Sequence, residues 1–70
     1  MTYREAAQRL QALGCQEIPR RSGGSHRKWL NPAANRATVI PDWGPKDLAI
    51  GTIRAAVRQL GLPWKDFENA

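Results

Sequence analysis

The side chains that could do chemistry are concentrated in residues 20–36, which read RRSGGSHRKWLNPAANR. This segment has no acidic residue, and its five basic residues are Arg20, Arg21, Arg27, Lys28 and Arg36. The remaining residues carry six basic and six acidic side chains, so the whole formal charge of +5 lies in this segment. Its histidine, His26, directly follows two glycines and a serine. A titratable imidazole beside flexible backbone amides and cationic groups could bind or cleave a phosphodiester, although such charge runs are commonly just solvated faces.

The length and composition limit which classes of protein this chain can belong to. Seventy residues are expected to form one domain, residues 1–70, which buries about 60% of the surface that its unfolded chain exposes. The sequence has no apolar run of transmembrane length and no secretory signal, so we expect no membrane association. One cysteine cannot form an internal disulfide, and one cysteine with one histidine cannot make a structural zinc site, so a reducing cytoplasm is the simplest location. We expect neither a metal ion nor a cofactor. The isoelectric point near 10.4 indicates an acidic partner, either nucleic acid or protein.

Two helical patterns flank the basic segment. Residues 2–13 predict the first helix, because Thr2 and Glu5 have the spacing of a capping box and apolar residues follow at helical intervals. Residues 49–60 predict the second helix, and 63–69 could add a short third one. The apolar stripe of the second helix consists of Ile50, Ile53, Val57 and Leu60.

Three short strands are expected between the two helices. They cover residues 15–20, 25–30 and 37–41, and they are separated by turns at 22–24 and 31–36. Because a sheet this small is unstable alone in water, both helices must pack on one of its faces. The predicted fold is therefore an α+β two-layer sandwich of α-β-β-β-α order, with a three-stranded antiparallel sheet. This order is typical of double-stranded RNA-binding domains, but RNA binding does not follow from a fold.

The alternation of side chains along the second strand predicts which face of the sheet carries the chemistry. His26 and Lys28 share one face, while Arg27 and Trp29 share the other. We expect Trp29 to enter the core, which leaves His26 and Lys28 on the open face among polar neighbours. Trp43, in the loop after the third strand, is interpreted as a packing residue in preference to a stacking surface for a base.

Several stretches, in this order, resemble the HicA family. The resemblance extends from about Tyr3 to Phe67. Its motifs are the glycine-serine-histidine sequence at Gly24-Ser25-His26 with the aromatic Trp29, the strand end Val39-Ile40-Pro41, and the helix that begins Ile50-Gly51-Thr52-Ile53-Arg54 and continues to Leu60-Gly61-Leu62.

This resemblance implies a fold, an activity and a partner. HicA proteins are toxins of type II toxin–antitoxin pairs; they have a fold like that of double-stranded RNA-binding domains and cleave mRNA. The antitoxin partner, HicB, covers the active face, and the histidine of the motif, by position His26, is catalytic. Many members carry a second histidine shortly after the strand-ending proline, where this chain has Asp42 and Trp43. A two-histidine acid–base mechanism is therefore not expected here.

The chemistry of RNA cleavage assigns roles to the basic segment. RNA carries its own nucleophile, the 2′-hydroxyl, so cleavage needs proton transfer and a stabilised phosphate but no metal ion. His26 is expected to act as general base or acid, and Lys28 to hold the scissile phosphate, with help from Arg27 if the strand twists it outward. The amides of Gly23 and Gly24 could form an anion nest, and Ser25 could orient His26 or donate to phosphate. Three further residues are expected to follow the RNA backbone at a distance: Arg20, Arg21 and Arg36.

Two other classes of function stay open from the residues alone. A small RNA-binding module without catalytic activity would keep the basic segment, but its function would not depend on His26. A protein-interaction subunit would use the same segment for an acidic partner, and it would show little affinity for RNA at physiological salt.

Overall fold

The computed structural model describes residues 1–19 and 23–70, and these residues form three helices and three strands. In chain order the elements are α1 (Tyr3–Ala12), β1 (Gln16–Ile18), β2 (His26–Asn31), β3 (Arg36–Pro41), α2 (Ile50–Gln59) and α3 (Trp64–Glu68). The strands pair antiparallel in the order β1-β2-β3. The predicted α+β fold is confirmed, including the short C-terminal helix.

Helix α1 begins with the predicted capping box. The backbone N–H of Glu5 donates to the hydroxyl of Thr2 (3.3 Å), and the Glu5 carboxylate accepts from the backbone N–H of Thr2 (3.1 Å). The bond from the Thr2 backbone lowers the pKa of Glu5, because it stabilises the ionised carboxylate. The buried side of the helix carries Tyr3, Ala6 and Leu10.

The hydrophobic core lies between the helices and one face of the sheet. Trp29 of β2 is fully buried there, as the alternation of side chains predicted, and Phe67 of α3 is fully buried as well. The other large, almost fully buried side chains are Leu10, Ile40, Ile53, Val57 and Leu60. All three helices therefore cover the same face, and the opposite face of the sheet stays open.

Strand boundaries differ from the sequence prediction at the turn between β2 and β3. Asn31 was predicted in the turn, but it belongs to β2, and β3 begins one residue early at Arg36. The buried amide of Asn31 donates to the carbonyl of Leu60 (2.7 Å), which supplies a partner to an end-of-helix carbonyl of α2. Strand β1 is shorter than predicted at its start: Cys15 is buried but precedes it.

Two large apolar side chains that were expected to pack are exposed. Ile50, the first residue of α2, is 58% exposed, because it lies about 70° from the middle of the buried stripe of that helix. Trp43 is 50% exposed, so its interpretation as a core-packing residue is wrong.

Among the described residues, no helix combines the length and apolar character needed to cross a membrane.

Candidate active site

The open face of β2 presents His26 and Lys28 to solvent. Both side chains are exposed, while Trp29 beside them is buried on the other face. Two residues of strand separate their Cα atoms by about 7 Å, so the long side chain of Lys28 can reach a group that also contacts the imidazole. The structure therefore brings together the two residues that the sequence assigned to proton transfer and phosphate binding.

The start of β2 is fixed by the turn before it and by the end of β3. Gly24 has φ +129°, a backbone conformation that residues with a side chain rarely adopt, so this position requires a glycine. His26 pairs with Pro41, and the carbonyl of Ser25 accepts a hydrogen bond from the N–H of Asp42 (2.5 Å). Ser25 is exposed and directly precedes His26 in the chain.

The open face is more apolar than the sequence predicted. Val39 lies opposite Lys28 and is 53% exposed, and Ile18 of β1 pairs with Lys28 on the other side. Leu30 and Ala37 form the next pair along the same face. The expectation of polar neighbours is wrong, because it left out Leu30 of β2 itself and the apolar side chains of the two strands beside β2.

Arg27 lies on the opposite face from His26, where it joins three parts of the chain. Its guanidinium donates to the carboxylates of Glu17 (3.2 Å) and Asp42 (3.1 Å), and it lies 5.7 Å from the centre of the Tyr3 ring. The Arg27 side chain is only 25% exposed. Its Nε is buried without a hydrogen-bond partner among the described residues. The guanidinium is thus held inside the chain and is not directed toward the open face.

Tyr3 extends this network into the core. Its hydroxyl donates to Glu17 and accepts from the indole N–H of Trp29 (3.0 Å). Burial, followed by the hydrogen bond to Glu17, raises the pKa of Tyr3 well above its ordinary value. Neither Glu17 nor Asp42 was predicted as a partner of Arg27. Only the strand register, in which Glu17 pairs with Trp29, shows that Glu17 lies on the face of Arg27.

The remaining predicted phosphate contacts do not gather at His26. Arg36 pairs with Asn31 at the far end of β2, about 16 Å along the strand from His26. Its side chain packs close to Gly61 on the helix side of the sheet. Arg20 and Arg21 lie outside the described residues.

Metal-ligating groups and the thiol are the other candidates for chemistry in the described residues. Within residues 1–19 and 23–70, no group of three or more His, Cys, Asp or Glu side chains could hold a metal ion. Cys15 is buried, and burial raises the pKa of its thiol, which disfavours the reactive thiolate.

Fold and site together define a small α+β domain whose open sheet face carries an exposed histidine and lysine. A family model described as the HicA toxin of bacterial toxin–antitoxin systems matches residues 3–62. This match covers most of the chain, so the chain belongs to the HicA toxin family. A search of the curated proteins gives no significant match, and a search of the solved structures gives none either.

Proposed function

We propose that this chain is a toxin that cleaves mRNA as a metal-independent endoribonuclease, with His26 as its catalytic residue. The observation that carries the proposal is the placement of His26: it is exposed on the open face of the sheet, two residues from the exposed Lys28. The larger ion-pair network lies on the other face, so it does not compete with a ligand for these two side chains.

The proposed reaction uses the 2′-hydroxyl of RNA as nucleophile. As this oxygen loses its proton it attacks the adjacent phosphorus, the bond to the 5′-oxygen breaks, and that oxygen leaves with a proton. The products are a 2′,3′-cyclic phosphate and a 5′-hydroxyl. His26 either takes the proton of the 2′-hydroxyl as general base or gives a proton to the 5′-oxygen as general acid, and water carries out the other of these two transfers. The ammonium of Lys28 stabilises the negative charge that develops on the phosphate oxygens.

The flanking residues are proposed to bind the RNA backbone. The amide of Gly24 and the hydroxyl of Ser25 adjoin His26, where they can contact the scissile phosphate. Arg20 and Arg21 belong to the segment that holds the excess positive charge, and they are proposed to bind further phosphates along the RNA. Arg27 supports the site indirectly by fixing β2, and Arg36 is left as a distant backbone contact.

The proposed protein partner is a HicB-like antitoxin in the cytoplasm, which would cover the open face. Exposed apolar side chains support this part of the proposal, because Val39 and its neighbours lie on the face that carries His26. A protein that buries Val39 and Leu30 would also block access of RNA to His26 and Lys28.

The chemistry is tested by incubating the purified chain with a long mRNA in EDTA and analysing the ends of the fragments. The expected products carry 2′,3′-cyclic phosphate and 5′-hydroxyl ends, and one 2′-deoxy substitution at a cleaved position abolishes cleavage there. Cleavage that requires a divalent ion, or fragments with 5′-phosphate ends, would contradict the mechanism. Binding of RNA without any fragments would favour the non-catalytic RNA-binding module.

A further inference from the structure

Trp43 has an unusual position for a large aromatic side chain. It is 50% exposed, and it follows Pro41, the residue that pairs with His26, by two positions. Two residues of chain span at most about 7 Å, so Trp43 starts close to the end of the sheet where His26 lies. An exposed indole loses the favourable free energy of burying a large apolar surface. Trp29, which is fully buried in the core, has this stabilisation, and Trp43 lacks much of it.

The loop that carries Trp43 is tied down at both ends. At its start, Asp42 bonds to Ser25 and to Arg27, and its carboxylate also accepts from the N–H of Gly44 (3.0 Å). At its end, the N–H of Leu48 donates to the carbonyl of Met1 (2.8 Å). The turn between them is closed by a bond from the N–H of Lys46 to the carbonyl of Trp43 (3.3 Å). The indole is therefore presented on an ordered support.

The other tryptophans do not offer a comparable surface. Trp29 is fully buried, and Trp64 stacks on Phe67 while Arg54 lies 4.9 Å from the centre of its ring. In the part of the chain that the structure describes, no aromatic ring or guanidinium covers Trp43. Trp43 and Lys46 line one shallow groove on the surface, and Lys46 is also exposed.

We propose that Trp43 forms a base-binding subsite, in which its indole stacks on an unpaired nucleobase next to the scissile phosphate. Lys46 contacts the phosphate of the same nucleotide. The inference rests on the proposed ribonuclease function and adds a substrate class, namely single-stranded or locally unpaired RNA, because a base inside a duplex does not offer its face. Stacking accepts any base, so the subsite positions the strand without selecting its sequence.

The test uses a His26→Gln background, so that the RNA stays intact, and short single-stranded RNAs with one abasic position each. With Trp43 present, one abasic position is expected to weaken binding about 5- to 150-fold, the equivalent of about 1–3 kcal/mol. Trp43→Ala removes this sensitivity, and Trp43→Phe keeps most of it. Ile50→Ala is the matched control, since Ile50 is exposed to a similar degree on α2 and its loss leaves the abasic sensitivity unchanged.

The outcomes separate this subsite from the proposed reaction. If each abasic position weakens RNA binding equally with and without the Trp43→Ala substitution, the subsite is excluded, whether or not the wild-type chain cleaves RNA. If Trp43→Ala weakens antitoxin binding but shows no coupling to an abasic position, Trp43 is a protein contact and the inference is wrong. If the coupling is present but the wild-type chain does not cleave RNA, the subsite stands and the ribonuclease proposal fails.

Discussion

His26 and Arg27 are neighbours in sequence, yet they lie on opposite faces of the sheet and differ in what they contact. His26 is exposed, while Arg27 joins Glu17 of β1 to Asp42 after β3. Strand alternation predicts this separation from the sequence. The partners of Arg27 could not be predicted, because they depend on the register that places Glu17 opposite Trp29 and on the path of the chain at Asp42.

Arg27→Met is expected to lower the free energy of unfolding by about 1–3 kcal/mol, because it removes the guanidinium that forms ion pairs with two partly buried carboxylates. Urea denaturation measures this loss. The matched control is Lys28→Met, which alters an exposed residue on the other face and should stay within about 0.5 kcal/mol of wild type. If Arg27→Met is as stable as wild type but binds RNA more weakly, Arg27 contacts RNA, as the sequence first suggested.

At the scale of elements, the pattern of helices and strands was predictable and several tertiary contacts were not. The capping box and the apolar spacing correctly located α1. Asn31 was assigned to a turn because asparagine before proline favours one. In the structure it pairs with Arg36 as the last residue of β2, and its buried side chain donates to the Leu60 carbonyl at the end of α2. Periodicity also placed Ile50 in the buried stripe, although it lies at the edge of that stripe.

Val39, an exposed apolar residue of the open face, gives a prediction about the antitoxin. Val39→Lys places a charge where a partner would bury an apolar side chain, so we expect the affinity for the cognate antitoxin to fall about 10-fold or more. Val39 is 53% exposed, so the stability of the free chain should change little. Isothermal titration calorimetry measures the affinity, and Ile50→Lys is the control on α2. An unchanged affinity for Val39→Lys would place the antitoxin elsewhere.

At the scale of the whole molecule, the positive charge is unevenly distributed along the chain. The excess positive charge lies in residues 20–36, while the rest of the sequence is balanced. Within that segment the structure assigns Arg27 to an internal network and places Arg36 on the helix side. Composition alone predicted a basic surface and an acidic partner, but it could not distinguish an exposed cation such as Lys28 from Arg27, which forms ion pairs within the chain.

The most direct test of the central claim compares wild type with His26→Ala on a long RNA in EDTA. The substitution alters an exposed side chain, so the fold should persist, and thermal denaturation verifies this. We predict that the cleavage rate falls about 10²- to 10⁴-fold. Gln16→Ala is the control, because Gln16 lies on the same face but away from His26. This variant should cleave RNA like wild type. Equal cleavage by wild type and His26→Ala would contradict the proposed role of His26.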